Sequence, residues 1–234
     1  MMQKQEKALV IPMENDLSFA LSNSISEEIG NIATDILEIG LDSILDDGLL
    51  KEVPILSTAV NVFKIGKSVV ERHYLKKLAA FISQLNKGIV DEKQRDYYKN
   101  TVKDHPRKRD EELEYILIII DRYIHADKAK KLAKLYLSYL DKEIDWETFT
   151  KCSEILDRLL PGDYQELSLG FWPNLSDSEV SDSLLRLVSL GLVISHNKSA
   201  EVDNTVGKLI VPDSTVKDYE LTRFGNAFYW SLID

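Results

Sequence analysis

Apolar side chains recur at every third or fourth position along most of the chain as far as residue 192. Residues with this spacing lie on one face of an α-helix, so the pattern predicts a series of amphipathic helices. The predicted helices cover residues 17–45, 54–86, 91–103, 107–124, 127–142, 145–160 and 176–192. We therefore expect a mainly α-helical protein, in which a multi-helix, bundle-like domain precedes a small α+β module.

The segment 54–86 is the longest predicted helix, and its first half is apolar on a second face as well. A helix with two apolar faces is typical of the centre of a bundle. Basic residues along one edge leave two other interpretations open, a helix that lies on a membrane surface and a helix that contacts a protein partner. The residues that we expect to make this partner or membrane contact are Val62, Lys64, Ile65, Lys67 and Arg72.

Charge is distributed unevenly along an acidic chain whose formal net charge is −10. Residues 1–62 carry a net charge of −8, residues 63–151 of +5 and residues 152–234 of −7. The basic middle region therefore either contacts the acidic regions on each side or binds an anionic partner. A basic run at the predicted start of the helix 107–124 is the candidate anion contact, because helix N-termini also favour anions. Its residues are Arg107, Lys108 and Arg109.

The sequence contains none of the residue patterns that carry catalysis or hold a metal or cofactor. One cysteine cannot form a disulfide or a thiolate metal site, and the four histidines are scattered without ligand spacing. There is no glycine-rich phosphate loop and no nucleophile motif. We therefore expect a protein that is not an enzyme, has no cofactor, and acts through contact with a protein partner or a membrane surface.

The N-terminal sequence and the uncharged windows bear on the location of the protein. The apolar stretch 8–13 is short and contains Pro12, so no secretory signal is predicted. The uncharged window 53–63 is well short of the ~20 apolar residues that a bilayer crossing needs. We expect a cytoplasmic protein, which the membrane-surface interpretation places at the inner face of the membrane.

From Leu175 to the C-terminus the pattern changes to helix, strand, wing, strand and helix. Gly191 ends the helix 176–192, the apolar run 192–194 begins a hairpin, and Tyr219 alternates with Leu221 in a returning strand. Thr222 is a suitable N-cap for a last helix. This order predicts a winged-helix-like module at residues 161–234, after a flexible arm at residues 1–16 and a helical domain at residues 17–160.

Two runs in this module carry a family resemblance. They are Leu185-Arg186-Leu187 with Leu190-Gly191-Leu192-Val193, and Tyr219-Glu220-Leu221-Thr222-Arg223-Phe224-Gly225 with Phe228. Together they resemble the closing motif of the abortive-infection alpha family, bacterial proteins associated with defence against phage. The resemblance covers the C-terminal module only. It implies that the protein has a role in phage defence.

A winged helix also raises the alternative of a transcriptional regulator that binds DNA. The candidate DNA contacts are Arg186 on the predicted recognition helix and Lys198 and Lys208 in the wing. Serine and acidic residues crowd the start of this helix, however, and acidic side chains would face the phosphate backbone. We therefore favour protein contact over DNA binding. A homo-oligomer remains an alternative, because two copies that bind DNA together would combine their modest basic surfaces.

Overall fold

The computed structural model describes residues 17–26, 53–63, 68–89, 93, 96–97, 100, 106–197, 201–203, 208–210 and 216–232. The chain divides into two compact units, Met1–Phe149 and Thr150–Asp234. The predicted N-terminal arm, the part of the predicted helix 17–45 beyond Ser26 and most of the predicted helix 91–103 lie outside the described residues.

All the secondary-structure elements described in the first unit are helices. Its helices are α1 (Leu17–Ser26), α2 (Pro54–Phe63), α3 (Val69–Gly88), α4 (Pro106–Arg122) and α5 (Ala126–Leu140), and α6 (Trp146–Arg158) crosses into the second unit. Helix α3 packs along α5, and α1 packs against α2 and α4. The mainly α-helical prediction is confirmed.

Aliphatic and aromatic side chains fill the core of this unit. Those that are almost completely buried include Leu78, Phe81, Leu113, Ile116, Ile120, Leu132, Tyr136 and Phe149. The ring of Tyr136 lies 6.3 Å from that of Phe81 and 5.8 Å from that of Phe149, distances typical of aromatic pairs in a core. The helix faces on which apolar residues recur at every third or fourth position are thus the faces that lie in the core.

The prediction of one continuous helix over residues 54–86 is wrong. Helix α2 ends at Phe63, and α3 begins after Ser68, whose backbone is extended at φ −95° and ψ 139°. The Ser68 hydroxyl accepts a hydrogen bond from the Val70 N–H, and the Glu71 carboxylate accepts one from the Ser68 N–H. This capping box satisfies N–H groups that a helix start leaves without partners, so it favours a new helix here.

The second unit is a small α+β module that follows α6. Its elements are α7 (Pro161–Leu167), β1 (Phe171–Ser176), α8 (Asp182–Ser189), β2 (Val193–Asn197), β3 (Glu201–Asp203), β4 (Lys208–Ile210), β5 (Val216–Leu221) and α9 (Arg223–Trp230). Strands β1, β5 and β2 form an antiparallel sheet in that order, and β3 pairs with β4 separately. The predicted α+β module is confirmed.

The predicted helix 176–192 is too long, and the sequence did not predict α7 or β1. Strand β1 continues to Ser176, and α8 begins only after Ser181, whose hydroxyl accepts a hydrogen bond from the Leu184 N–H at 3.0 Å. The helix ends at Ser189, three residues before the predicted bound, although Gly191 follows its C-cap with a φ of +73° that few other residues adopt, as expected of a residue that ends a helix. The turns between β1 and α8 account for the difference.

Three tyrosines of the first unit give its stability a pH dependence. Burial raises the pKa of Tyr136, with smaller contributions from Glu112 and Tyr139. Burial and a 2.7 Å hydrogen bond to Glu112 raise the pKa of Tyr139, and burial followed by the charge of Asp121 raises that of Tyr74. These groups keep their protons in the folded state above about pH 10, where unfolded tyrosine ionises. We expect the free energy of unfolding to fall as the pH rises above about 10.

Denaturant unfolding across this pH range, with tyrosinate absorbance recorded on the same samples, tests the expectation. Replacing Tyr139 with phenylalanine keeps the ring and removes one ionising group, so it should make the fall shallower. If the folded protein gave the same tyrosinate absorbance as the denatured protein throughout this pH range, the assignment would be contradicted.

Candidate interaction surface

A groove of about 370 Å³ lies between α3 and α4 in the first unit. Its walls consist of residues one helical turn apart, which face the same way. The lining residues are Val70, Glu71 and Tyr74 on α3 and Leu117, Ile118, Asp121 and Arg122 on α4. Apolar side chains and tyrosine form much of the lining, with charged groups between them. Such a mixture is typical of a surface that binds another molecule.

Two aliphatic side chains of the groove lining, Val70 and Ile118, are strongly exposed, as are Val69 and Ile124, which lie close to the lining residues Val70 and Arg122 along the chain. The exposed fractions are 74% for Val69, 75% for Val70, 60% for Ile118 and 74% for Ile124. Single exposed aliphatic residues are common, but a cluster of them marks an interaction site. We call these four residues and the groove between α3 and α4 the aliphatic surface.

Two polar side chains of α3 hold the end of α4 against it. The Lys77 ammonium donates hydrogen bonds to the backbone oxygens of Asp121 and Tyr123, the latter at 2.8 Å, and the His73 ring contacts the Ile124 oxygen. These carbonyls end a helix, where cations are favoured. Burial lowers the pKa of Lys77, and the charge of Asp121 partly opposes that effect. Lys77 therefore positions the groove wall from inside the unit.

The structure describes part of the predicted contact surface. Arg72 lies on α3, half-buried and next to Glu71 of the groove. Lys64, Ile65 and Lys67 lie outside the described residues, as does the side chain of Val62 on α2. The side chains of the predicted anion contact, Arg107, Lys108 and Arg109, also lie outside the described residues, although their backbone begins α4. Arg72 is not among the residues that line the groove.

Sequence reasoning missed most of the residues that form the aliphatic surface. The three-four spacing predicts Ile124 on the same inner face as Leu113, Leu117 and Ile120, but Ile124 follows the last turn of α4 and is exposed. Ile118 does not lie on the apolar face of Leu113, Ile116 and Ile120, and this position in the sequence could have predicted that its side chain is exposed.

The candidate DNA contact Arg186 has a structural partner in its own unit. Its Nε donates a hydrogen bond to Asp163 Oδ2 at 2.8 Å, and the same oxygen accepts one from the Leu160 N–H at 2.7 Å. The Asp163 side chain is fully buried, and that of Arg186 is 31% exposed. Lys198 and the side chain of Lys208 lie outside the described residues. The guanidinium of Arg186 is thus occupied within the unit.

The described residues offer little for other chemistry. They contain no cluster of three or more histidine, cysteine, aspartate or glutamate side chains that could bind a metal ion. Cys152 is buried, and burial raises the pKa of its thiol to about 12, so it is protonated at neutral pH. Within the same described part of the chain, no helix has the length and apolar character to cross a membrane.

Comparison with known proteins gave no relatives for this chain. A scan against models of protein families found no match, and searches of curated proteins and of solved structures found none either.

Proposed function

We propose that this is a non-enzymatic bacterial interaction protein, whose helical unit binds a helix of a partner protein at the aliphatic surface. The observation that carries the proposal is the exposure of two aliphatic residues of the groove lining, Val70 at 75% and Ile118 at 60%. Covering an aliphatic side chain contributes about 1.5–3 kcal/mol, so a partner that covers several gains substantial free energy.

The shape and charge of the groove favour a partner helix over a lipid surface. Two packed helices form a groove that a third helix can fill, with its apolar side chains between theirs. Glu71 and Asp121 place two carboxylates in the lining against the one guanidinium of Arg122. Anionic lipids attract basic surfaces, which makes this lining unfavourable for a membrane. The fitting partner is an amphipathic helix with lysine or arginine beside its apolar residues.

The family resemblance of the C-terminal module supports phage defence in the bacterial cytoplasm as the setting of this interaction. In that setting the helical unit is the part that senses or acts on the partner. The resemblance and the groove are separate supports, since one concerns the second unit and the other the first.

The partner interaction predicts strong effects for charge at the groove. We expect Val70→Asp and Ile118→Asp each to weaken partner binding at least about tenfold, because each buries a carboxylate against the partner instead of an aliphatic group. Both positions are exposed in the free protein, so the melting temperature should change little. The measurement is affinity capture with the full chain from phage-infected and uninfected cells, followed by titration with the purified partner.

Leu185→Asp is the matched control, because Leu185 is 53% exposed but lies on α8 in the other unit. It should leave partner capture unchanged. Equal capture by the wild type and both groove variants would contradict the proposal. Sedimentation with anionic and neutral vesicles separates the membrane alternative, since vesicle binding that both groove variants abolish would replace the partner helix by a lipid surface.

The order of elements in the α+β module supports a second candidate, a winged-helix regulator that binds DNA. Helix α8 precedes β2, and the β3–β4 pair occupies the position of a wing before β5. The ion pair between Arg186 and Asp163 argues against this candidate, because Arg186 is the only basic residue of α8. A salt-dependent shift of duplex DNA, reduced by Lys208→Ala in a protein of unchanged stability, would favour this candidate.

A further inference from the structure

We propose that two copies of this chain pair through β2 to form a symmetric dimer with a continuous antiparallel sheet. The inference concerns the second unit and is independent of the partner helix proposed for the first. It rests on the position of β2 in the sheet, on the direction of its backbone groups and on the contrast between the two edges of the sheet.

Strand β2 lies at one edge of the sheet, since the strand order is β1, β5, β2. Its first residue, Val193, is buried, and every later residue of the strand is exposed, including Ile194 at 45%. An exposed edge strand presents N–H and C=O groups in a row to any strand that can pair with them. The described part of the chain has no strand on the outer side of β2.

The hydrogen-bond pattern shows which groups of β2 face outward. The Thr222 N–H donates to the Leu192 oxygen at 2.9 Å, and the register continues without a shift, with Ser195 opposite Tyr219. Hydrogen-bonded pairs alternate with non-bonded pairs in an antiparallel ladder. Leu192 and every second residue after it therefore face β5, which leaves the backbone groups of Val193, Ser195 and Asn197 pointing away from the sheet.

The opposite edge of the sheet is protected, and β2 is not. Strand β1 contains Pro173, which has no N–H, and an irregular register between Trp172 and Leu175. Asn174 in the same strand has a positive φ of 57°. Proline and bulges are the features by which proteins block pairing at an exposed edge. Strand β2 has no proline, lysine or bulge, so its edge remains available for pairing.

A second copy of β2 is the occupant that fits this edge best. In an antiparallel pair with Ser195 opposite Ser195 of the second copy, Val193 lies opposite Asn197 and Ile194 opposite His196. Every outward residue of the strand then pairs, and no two like charges oppose each other. Both strands are already extended, so pairing does not require the ordering of a flexible segment. A two-fold axis makes this interface closed and self-complementary.

Cysteine cross-linking tests the dimer and its register in the full-length protein. In this register Ile194 and His196 of the other copy form a non-bonded pair, with Cα atoms about 4.5 Å apart, within the range of a disulfide. The double variant Ile194→Cys/His196→Cys should therefore form a covalent dimer on mild oxidation, with twice the 26.7 kDa mass of one chain. The native Cys152 is buried and should not contribute.

The two single variants are the matched controls, because each places its thiols two residues out of register along the strands. In this register two such residues are about 7 Å apart along the strand axis alone, which is too far for a disulfide. Neither single variant should cross-link efficiently. Cross-linking by Ile194→Cys alone to the same extent as the double variant would overturn the proposed register.

Proline at the centre of the strand tests the pairing without a cross-link. Ser195→Pro removes an N–H that points away from β5, so the internal ladder and the thermal unfolding curve should be retained. The dimer should be lost, as measured by light scattering during size-exclusion chromatography, whereas Ser195→Ala should keep it. A wild-type protein that is monomeric throughout the concentration range, or a folded Ser195→Pro variant that dimerises as the wild type does, would overturn the proposal.

Discussion

Replacing Gly225 with alanine is expected to destabilise the α+β module more than the same replacement at any other glycine that the structure describes in this module. A Cβ atom at this position would lie 1.9 Å from the backbone oxygen of Leu192, 2.7 Å from its carbonyl carbon and 2.9 Å from its Cα. All three are backbone atoms, and the same oxygen accepts a hydrogen bond from the Thr222 N–H at 2.9 Å. The Leu192 backbone therefore cannot move away from the new methyl group without weakening its hydrogen bond with Thr222.

We expect Gly225→Ala to lower the free energy of unfolding by about 3 kcal/mol, the upper end of the usual cost of overpacking. The Gly225 N–H also donates to the Thr222 hydroxyl at 2.8 Å, so a shift of the backbone would weaken the cap of α9 as well. Chemical denaturation followed by the fluorescence of Trp172 and Trp230, which both lie in this unit, measures the effect.

Gly162→Ala is the matched control, because Gly162 lies in α7 of the same unit and a Cβ there meets only the Ser183 hydroxyl, at 3.9 Å. Alanine is favoured over glycine in a helix by up to about 1 kcal/mol, so this variant should be as stable as the wild type or more so. If Gly225→Ala unfolded at the same denaturant concentration as Gly162→Ala, the close approach of Gly225 to Leu192 would be disproved.

The sequence contains Gly225 in a recognisable run but does not reveal its contact, since Leu192 is distant in the chain. The helices could be predicted because their apolar spacing is a local property. The break at Ser68 was missed because apolar residues continue across it, although Ser68 and Glu71 are spaced as a capping box. Strand β1 was missed because Pro173 interrupts it and its partner β5 lies far along the chain.

The same distinction between local and distant contacts applies to the aliphatic surface. Periodicity identifies residues that can share a helix face, but which face is covered depends on neighbouring helices. Ile124 continues the apolar spacing of α4 and is nevertheless 74% exposed. Lys77 belongs to a basic edge in the sequence and is nevertheless buried, because backbone oxygens at the end of α4 accept hydrogen bonds from its ammonium group. Neither result follows from the residue types alone.

Replacing Arg186 with alanine is expected to destabilise the α+β module by a similar amount. The change leaves the fully buried Asp163 carboxylate with the Leu160 N–H but without its cation. The other carboxylate oxygen, Oδ1, is buried and has no hydrogen-bond partner among the described residues. Breaking a buried ion pair costs about 3–5 kcal/mol, and we expect about 3 because Arg186 is 31% exposed. Chemical denaturation at neutral pH measures it.

Lys217→Ala is the matched control, since Lys217 pairs with Asp177 at 3.2 Å in an exposed position of the same unit. An exposed pair contributes at most about 1 kcal/mol, so this variant should unfold close to the wild type. The comparison also separates the two candidate functions of the module. If Arg186→Ala were as stable as Lys217→Ala and yet lost a salt-dependent shift of duplex DNA, Arg186 would be a DNA contact and the regulator would become the favoured function. If Arg186→Ala were destabilised as expected and the wild type gave no shift, the ion pair would be structural and protein contact would remain the favoured role.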